Sequence, residues 1–116
     1  MPETIALEVF GDVLVAHTPE ELTDESIGGF HEALQPALAE GRTRVVLHMD
    51  HTDVFDSQGL EGLLDLRDQV RACGGATKVS GLSETGRTIF EITRLNQSFE
   101  TFPNVLDAVS SFVAMR

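Results

Sequence analysis

The segment RVVLHM at residues 44–49 constrains the fold most, because it is a short run rich in apolar and β-branched residues. Such a run is typical of a central β-strand that is covered on both faces. From Ser57 onward apolar residues recur every three or four positions as far as Cys73, and Gly74-Gly75 ends the pattern. This spacing predicts an amphipathic helix with Cys73 on its inner face. A buried strand followed by such a helix indicates an α/β fold.

The rest of the chain continues the alternation of strands and helices. Residues 5–17 alternate apolar and polar side chains on either side of Gly11-Asp12, which predicts two strands joined by a tight hairpin. Periodicity and capping residues predict five more elements: a helix at about 24–40 whose last turn Pro36 should loosen or kink, a strand at 76–82, a helix within 82–96, an edge strand at 98–102 and a final helix with Asn104 as N-cap. We therefore predict a mixed sheet of four to five strands, with an opening antiparallel hairpin and central parallel strands, flanked by about four helices.

Charge and composition exclude several classes of protein. The net charge is −11, from 19 acidic residues against 8 Lys and Arg, so nucleic acid is not an expected partner. The single cysteine excludes an internal disulfide and favours a reducing compartment. The first residues do not resemble a signal peptide, and no apolar run reaches the ~18 residues of a membrane span. We expect one cytoplasmic domain over residues 1–116 without direct membrane insertion, and the sequence leaves its oligomeric state open.

Residues 48–56 crowd together side chains that bind metals in other proteins. The potential ligands are His48, Asp50, His51, Asp53 and Asp56. Their spacing has neither the i, i+4 histidines of a zincin nor the order of a calcium-binding loop. A solvated acidic loop is the favoured interpretation, and no metal or cofactor is predicted.

Asp50 follows a strand, as the phosphorylated aspartate of a response-regulator receiver does. A receiver needs further acids after its first strand and a lysine near the end of a later strand. Lys78 could be that lysine, but Asp12 stands alone and the opening hairpin does not fit. The sequence also has no G-x-S-x-G elbow, P-loop or G-x-G-x-x-G loop, so we do not expect the protein to be an enzyme.

Ser57 lies in FDSQGL, at the predicted start of the second helix. In a purely structural interpretation, Asp56 or Ser57 caps the helix and Gly59 permits close packing in its first turn. In a functional interpretation, the unpaired N–H groups and the dipole of a helix start stabilise a phosphate on the serine. The residues alone leave both interpretations open.

The stretch VVLHMDHTDVFDSQGLEGLL, residues 45–64, resembles without gaps the central signature of the STAS domain family, VVLDLSGVTFMDSSGLGVLL in generic form. The segments EELTDES, RACGGATKVSGLSE and IFEITRLNQSFETF are similar to the family's GELDxxT, GGKVVLAGLSP and VLELTGLDKIFPIY. The resemblance covers nearly the whole chain, and within the family the chain is most similar to the anti-sigma factor antagonists. It implies a STAS-like mixed sheet flanked by helices.

The resemblance also implies a function. In antagonists of this family the serine after the aspartate is phosphorylated by a partner that is both anti-sigma factor and serine kinase. That serine is Ser57 here; the unphosphorylated form would bind the partner, and the charge and bulk of a phosphate would repel it. The implied partner-binding residues are Thr23, Asp24, Asp56, Ser57, Gln58, Gly59, Leu60 and Glu61.

Four residues depart from the family's usual pattern, namely Thr23, His48, Gln58 and Glu61. Glu61 adds negative charge one helical turn after Ser57, close to where a phosphate would sit. An alternative function follows from these departures: a STAS subunit that is not phosphorylated and binds a transport-system component, a lipid or a small ligand.

Overall fold

The computed structural model describes residues 5–113. Its main sheet contains β1 (Leu7–Phe10), β2 (Val13–His17), β4 (Arg44–His48), β6 (Ala76–Ser80) and β7 (Thr101–Phe102), in the order β1-β2-β4-β6-β7. A second, two-stranded sheet pairs β3 (Glu21–Leu22) with β5 (Val54–Phe55) in parallel. β1 is antiparallel to β2, and the other pairs in the main sheet are parallel.

Four helices connect and flank these strands: α1 (Asp24–Ala39), α2 (Ser57–Ala72), α3 (Glu84–Thr93) and α4 (Val105–Val113), with a 3₁₀ turn at Leu95–Gln97. The predicted mixed sheet with an opening hairpin and four helices is therefore confirmed.

Both faces of the central strand β4 are covered, which explains its unbroken apolar sequence. Val45 and Leu47 join a large core built with α1, α2 and α3, whereas Val46 joins a smaller core with Phe112 of α4. These three side chains, Val45, Val46 and Leu47, are fully buried. Because successive side chains on a strand point to opposite faces, a strand between two layers of helices has no polar face.

Three local features differ in detail from the expectations. α1 continues through Pro36 to Ala39 and closes with a complete Schellman turn, in which Gly41 (φ +88°) and Arg42 donate to the last carbonyls, so its end is not loosened. The predicted edge strand is shorter than 98–102, because the backbone N–H of Phe99 is held by Leu95 in the preceding turn. Cys73 is the exposed C-cap residue of α2 and does not lie on its inner face.

Candidate functional site

Ser57 is the first residue of α2, and its side chain is exposed. The preceding residue, Asp56, is the N-cap: its backbone is extended, and its Oδ1 accepts a hydrogen bond from the backbone N–H of Gly59 at 2.8 Å. The sequence left the capping role open between these two residues, and the structure gives it to Asp56. The hydroxyl of Ser57 is thus open to solvent at the positive end of the helix dipole.

Asp56 also connects the two long helices. Its second oxygen, Oδ2, accepts a hydrogen bond from the backbone N–H of Asp24, the first residue of α1, at 3.0 Å. The hydrogen bonds from Asp24 and then from Gly59 favour the charged carboxylate and lower the pKa of Asp56. One ionised side chain therefore ties together the starts of α1 and α2.

The small sheet brings these helix starts side by side. Glu21 and Leu22 of β3 pair with Val54 and Phe55 of β5, and each strand leads directly into a helix. Thr23 is the N-cap residue of α1, and its backbone N–H donates to Ser26 Oγ at 3.0 Å. Sequence reasoning missed this sheet because strands of two residues are too short to show a periodicity.

Gly59 and Leu60, in the first turn of α2, pack against the interior of the protein. A Cβ atom on Gly59 would lie 2.0 Å from the carbonyl oxygen of Leu22, so only glycine allows α2 to approach β3 this closely. Gly59 is buried, and Leu60 packs against the larger core. Gly59 therefore has a packing role, and the contact role that the resemblance implies for Gly59 and Leu60 stays a prediction.

For the partner contact that the resemblance implies, we call the other six residues the docking surface: Thr23, Asp24, Asp56, Ser57, Gln58 and Glu61. Thr23 and Asp56 are half-buried, and the other four are exposed. Three carboxylates make the surface acidic. An acidic surface of this kind complements a partner that carries basic side chains.

The five potential metal ligands of residues 48–56 have different partners in the structure. His48 Nε2 lies 3.3 Å from Asp50 Oδ1, and His51 Nε2 lies 3.5 Å from Asp50 Oδ2. Asp56 is occupied in capping, and the backbone N–H of the exposed Asp53 donates to Glu20. Of the five potential ligands in residues 48–56, His48 and His51 each contact Asp50.

The residues considered for a receiver-type site lie apart. Asp12 precedes β2 and pairs with Arg44 at 3.4 Å, whereas Asp50 follows β4. Because β2 and β4 are parallel, these two aspartates lie at opposite edges of the sheet. Lys78 is buried and donates to Ser111 Oγ of α4 at 2.7 Å. These positions do not form a receiver's phosphorylation site.

A family model of the STAS domain matches residues 4–108 of the sequence. The chain belongs to the STAS domain family. Domains of this family are typically binding or regulatory modules without catalytic activity. Within residues 5–113, no helix of this STAS domain has the length and apolar character needed to cross a membrane.

Solved structures of two kinds share the fold. An anti-sigma factor antagonist from Mycobacterium paratuberculosis has 19% identity and a TM-score of 0.81, over 93% of this chain and 92% of that one. The phosphorylated Bacillus cell fate determinant SpoIIAA has 20% identity and a TM-score of 0.71, over 94% and 99% of the two chains. A sulfate transporter family protein from Wolinella succinogenes has 15% identity and a TM-score of 0.71, over 90% and 87%. No curated protein matches the sequence significantly.

Proposed function

We propose that this STAS domain is a phosphorylation-controlled, cytoplasmic docking protein of the anti-sigma factor antagonist type. With Ser57 unmodified, it binds an anti-sigma factor that has serine kinase activity; the kinase supplies the catalysis and uses the ATP. The observation that carries the proposal is the exposed hydroxyl of Ser57 at the first position of α2, directly after the capping Asp56 and inside the docking surface. The similarity to SpoIIAA, solved in a phosphorylated form, supports the same assignment.

Ser57 can accept a phosphate without a change of fold. Its side chain is exposed and Asp56 does the capping, so neither the core nor the helix start depends on the hydroxyl. A phosphate carries a charge of about −1.5 to −2 and three acceptor oxygens, which the helix dipole stabilises. Phosphorylation therefore changes the docking surface and leaves the core and the helix cap intact.

A phosphate on Ser57 weakens partner binding through its size and its desolvation in the contact with the partner. The docking surface already carries the carboxylates of Asp24, Asp56 and Glu61, so a phosphate adds to an existing acidic field and does not reverse its sign. A partner fitted closely around the Ser57 hydroxyl has no space for the phosphate, and burying a dianion without paired donors is costly. Bulk and desolvation at Ser57 therefore release the partner.

Incubation with candidate anti-sigma serine kinases and MgATP, followed by intact-mass measurement, tests the proposal. The wild-type protein should gain the mass of one phosphate, and Ser57→Ala should gain none. Ser83→Ala is the matched control, since Ser83 also lies at a helix start but is half-buried and caps α3 through Gly86; this variant should be phosphorylated like the wild type. A phosphate retained by Ser57→Ala, or no phosphate with any cognate kinase, would contradict the proposal.

A second function has specific support. The sulfate transporter family protein shares the fold with a TM-score of 0.71, equal to that of SpoIIAA, and at 15–20% identity such likeness indicates the fold alone. In this alternative the chain is a STAS subunit that binds a transport-system component, a lipid or a small ligand through the same surface, and Ser57 is not modified. Binding to a cognate transporter that is equal for wild type and Ser57→Asp, with no phosphorylation by kinases, would favour it.

A further inference from the structure

Two histidines and an aspartate converge at one edge of the main sheet. His17 and His48 are the last residues of β2 and β4 and lie directly opposite each other in the parallel register. Their rings are 5.3 Å apart, edge to face at 87°. Asp50 follows two residues after His48. One potential ligand atom from each of these three side chains lies within 4.8 Å of the others.

The spacing is close to that of a metal centre. Four ligands at about 2.1 Å around a tetrahedral ion are separated from one another by about 3.4 Å. His48 Nε2 and Asp50 Oδ1, 3.3 Å apart, already have this separation. The third ligand, from His17, needs to move by up to about 1.4 Å, the difference between 4.8 Å and about 3.4 Å, and partly exposed side chains can rotate that far. Two imidazole nitrogens and one carboxylate form a donor set that suits zinc and similar divalent ions.

The surroundings hold His48 in the orientation that a metal ligand needs. Its Nδ1 lies 2.9 Å from the hydroxyl of the fully buried Ser80, which leaves Nε2 directed towards Asp50. The ring lies over Gly81, where a Cβ atom would come within 2.5 Å of His48 Cε1. Outer hydrogen bonds of this kind fix the ring of metal-binding histidines. Glu8 Oε1 lies 2.5 Å from His17 Nε2, within reach of an ion bound at that nitrogen.

We propose that His17, His48 and Asp50 bind a divalent transition-metal ion of the zinc class, with a water molecule or Glu8 completing the coordination. The ion would join the end of β2 to the loop that leads from β4 into β5 and then α2. This loop supports the docking surface, but metal binding and phosphorylation of Ser57 are independent properties. The sequence indicated His48 and Asp50 as potential ligands but favoured a solvated loop. His17 is remote in the chain, and only the pairing of β2 with β4 places it beside His48.

The test uses the untagged protein, stripped of metal with a chelator that is then removed. Zinc is titrated in competition with a chromophoric chelator, and one equivalent should bind. Asp50→Asn and His48→Ala should each weaken zinc binding about 10-fold or more. Mutation of a residue that only hydrogen-bonds a ligand already costs about 10-fold, so loss of a direct ligand should cost at least as much. Asp50 is exposed, so Asp50→Asn should leave the fold intact even if His48→Ala does not.

His31→Gln is the matched control, because His31 lies on α1, where its Nε2 contacts the carbonyl of Gly62 at 2.7 Å. Its zinc affinity should equal that of the wild type. Ser80→Ala should weaken binding while leaving every direct ligand in place. The proposal is overturned if zinc does not bind stoichiometrically, if Asp50→Asn leaves the dissociation constant unchanged, or if His31→Gln weakens binding as much as the ligand variants do.

Discussion

The substitution Gly59→Ala tests how α2 is seated beneath the docking surface. Gly59 lies in the first turn of α2, and a Cβ atom there would be 2.0 Å from the carbonyl oxygen and 2.5 Å from the carbonyl carbon of Leu22. Ordinary van der Waals contact begins at 3.4 Å, so the two elements must separate by about 1.4 Å, the difference of these distances. The opposing atoms belong to the backbone, so no side-chain rotation can relieve the clash.

Two effects of opposite sign determine the magnitude. Alanine is favoured over glycine in a helix interior by about 1 kcal/mol. Overpacking of a closely packed site typically costs about 1–3 kcal/mol, and occasionally more. Because a displacement of this size involves backbone on both sides, we expect overpacking to prevail. A backbone clash calls for the upper end of that range, about 3 kcal/mol, and the gain in helix propensity offsets about 1 kcal/mol of it, so the free energy of unfolding should fall by about 2 kcal/mol.

Urea unfolding of the wild type, Gly59→Ala and Gly28→Ala measures the effect. Gly28 is an exposed residue inside α1 with no atom within 4 Å of its Cβ position, so Gly28→Ala should stabilise the protein by about 0.5–1 kcal/mol. The same chemical change should thus have opposite signs at the two sites. If Gly59→Ala were as stable as the wild type while Gly28→Ala showed its expected gain, the close approach of α2 to β3 would be refuted.

The remaining predictions concern the cap, the helix contact and the core. Because the pKa of Asp56 is lowered, its stabilising effect is complete above about pH 4 and is lost as the pH falls through the lowered pKa. Asp56→Asn should therefore be less stable than the wild type at neutral pH. Urea unfolding at a series of pH values should show the difference in stability between the two proteins shrinking in acid. Gly62→Ala should also lower the free energy of unfolding in the same assay, because its Cβ would lie 2.1 Å from Cγ1 of Ile27, whose χ1 is restricted in a helix. Leu63→Ala removes a fully buried side chain and should lower the free energy of unfolding by about 2–5 kcal/mol; a loss below 1 kcal/mol would be inconsistent with its burial.

Periodicity in the sequence predicted the long elements because burial determines them. β4 is covered on both faces and reads as an apolar run, while α2 buries Leu63, Leu66 and Val70 at helical spacing. Hydrophobic patterns record burial directly, so these elements could be predicted before their neighbours were known.

Features that depend on pairing between distant segments could not be predicted in this way. β3 and β5 exist because they pair with each other across 32 intervening positions, counted from the Leu22–Phe55 register, and not because of their own sequences. His17 meets His48 only through the register of β2 and β4.

The candidate site was predictable in position and less so in detail. FDSQGL placed Ser57 at a helix start, and the structure agrees. Geometry alone shows that Asp56 also accepts a hydrogen bond from Asp24 and that Gly59 is buried, because both facts depend on how α1 and β3 lie against α2. Local sequence therefore identified the serine, and tertiary packing determined which neighbours surround it.

Calorimetric titration of a cognate anti-sigma kinase with two purified forms of this STAS domain, one unmodified and one phosphorylated on Ser57, tests the central claim most directly. We predict that the unmodified form binds and that the phosphorylated form binds at least about 10-fold more weakly, a difference of about 1.4 kcal/mol. Equal affinities of the two forms would contradict a docking surface controlled at Ser57.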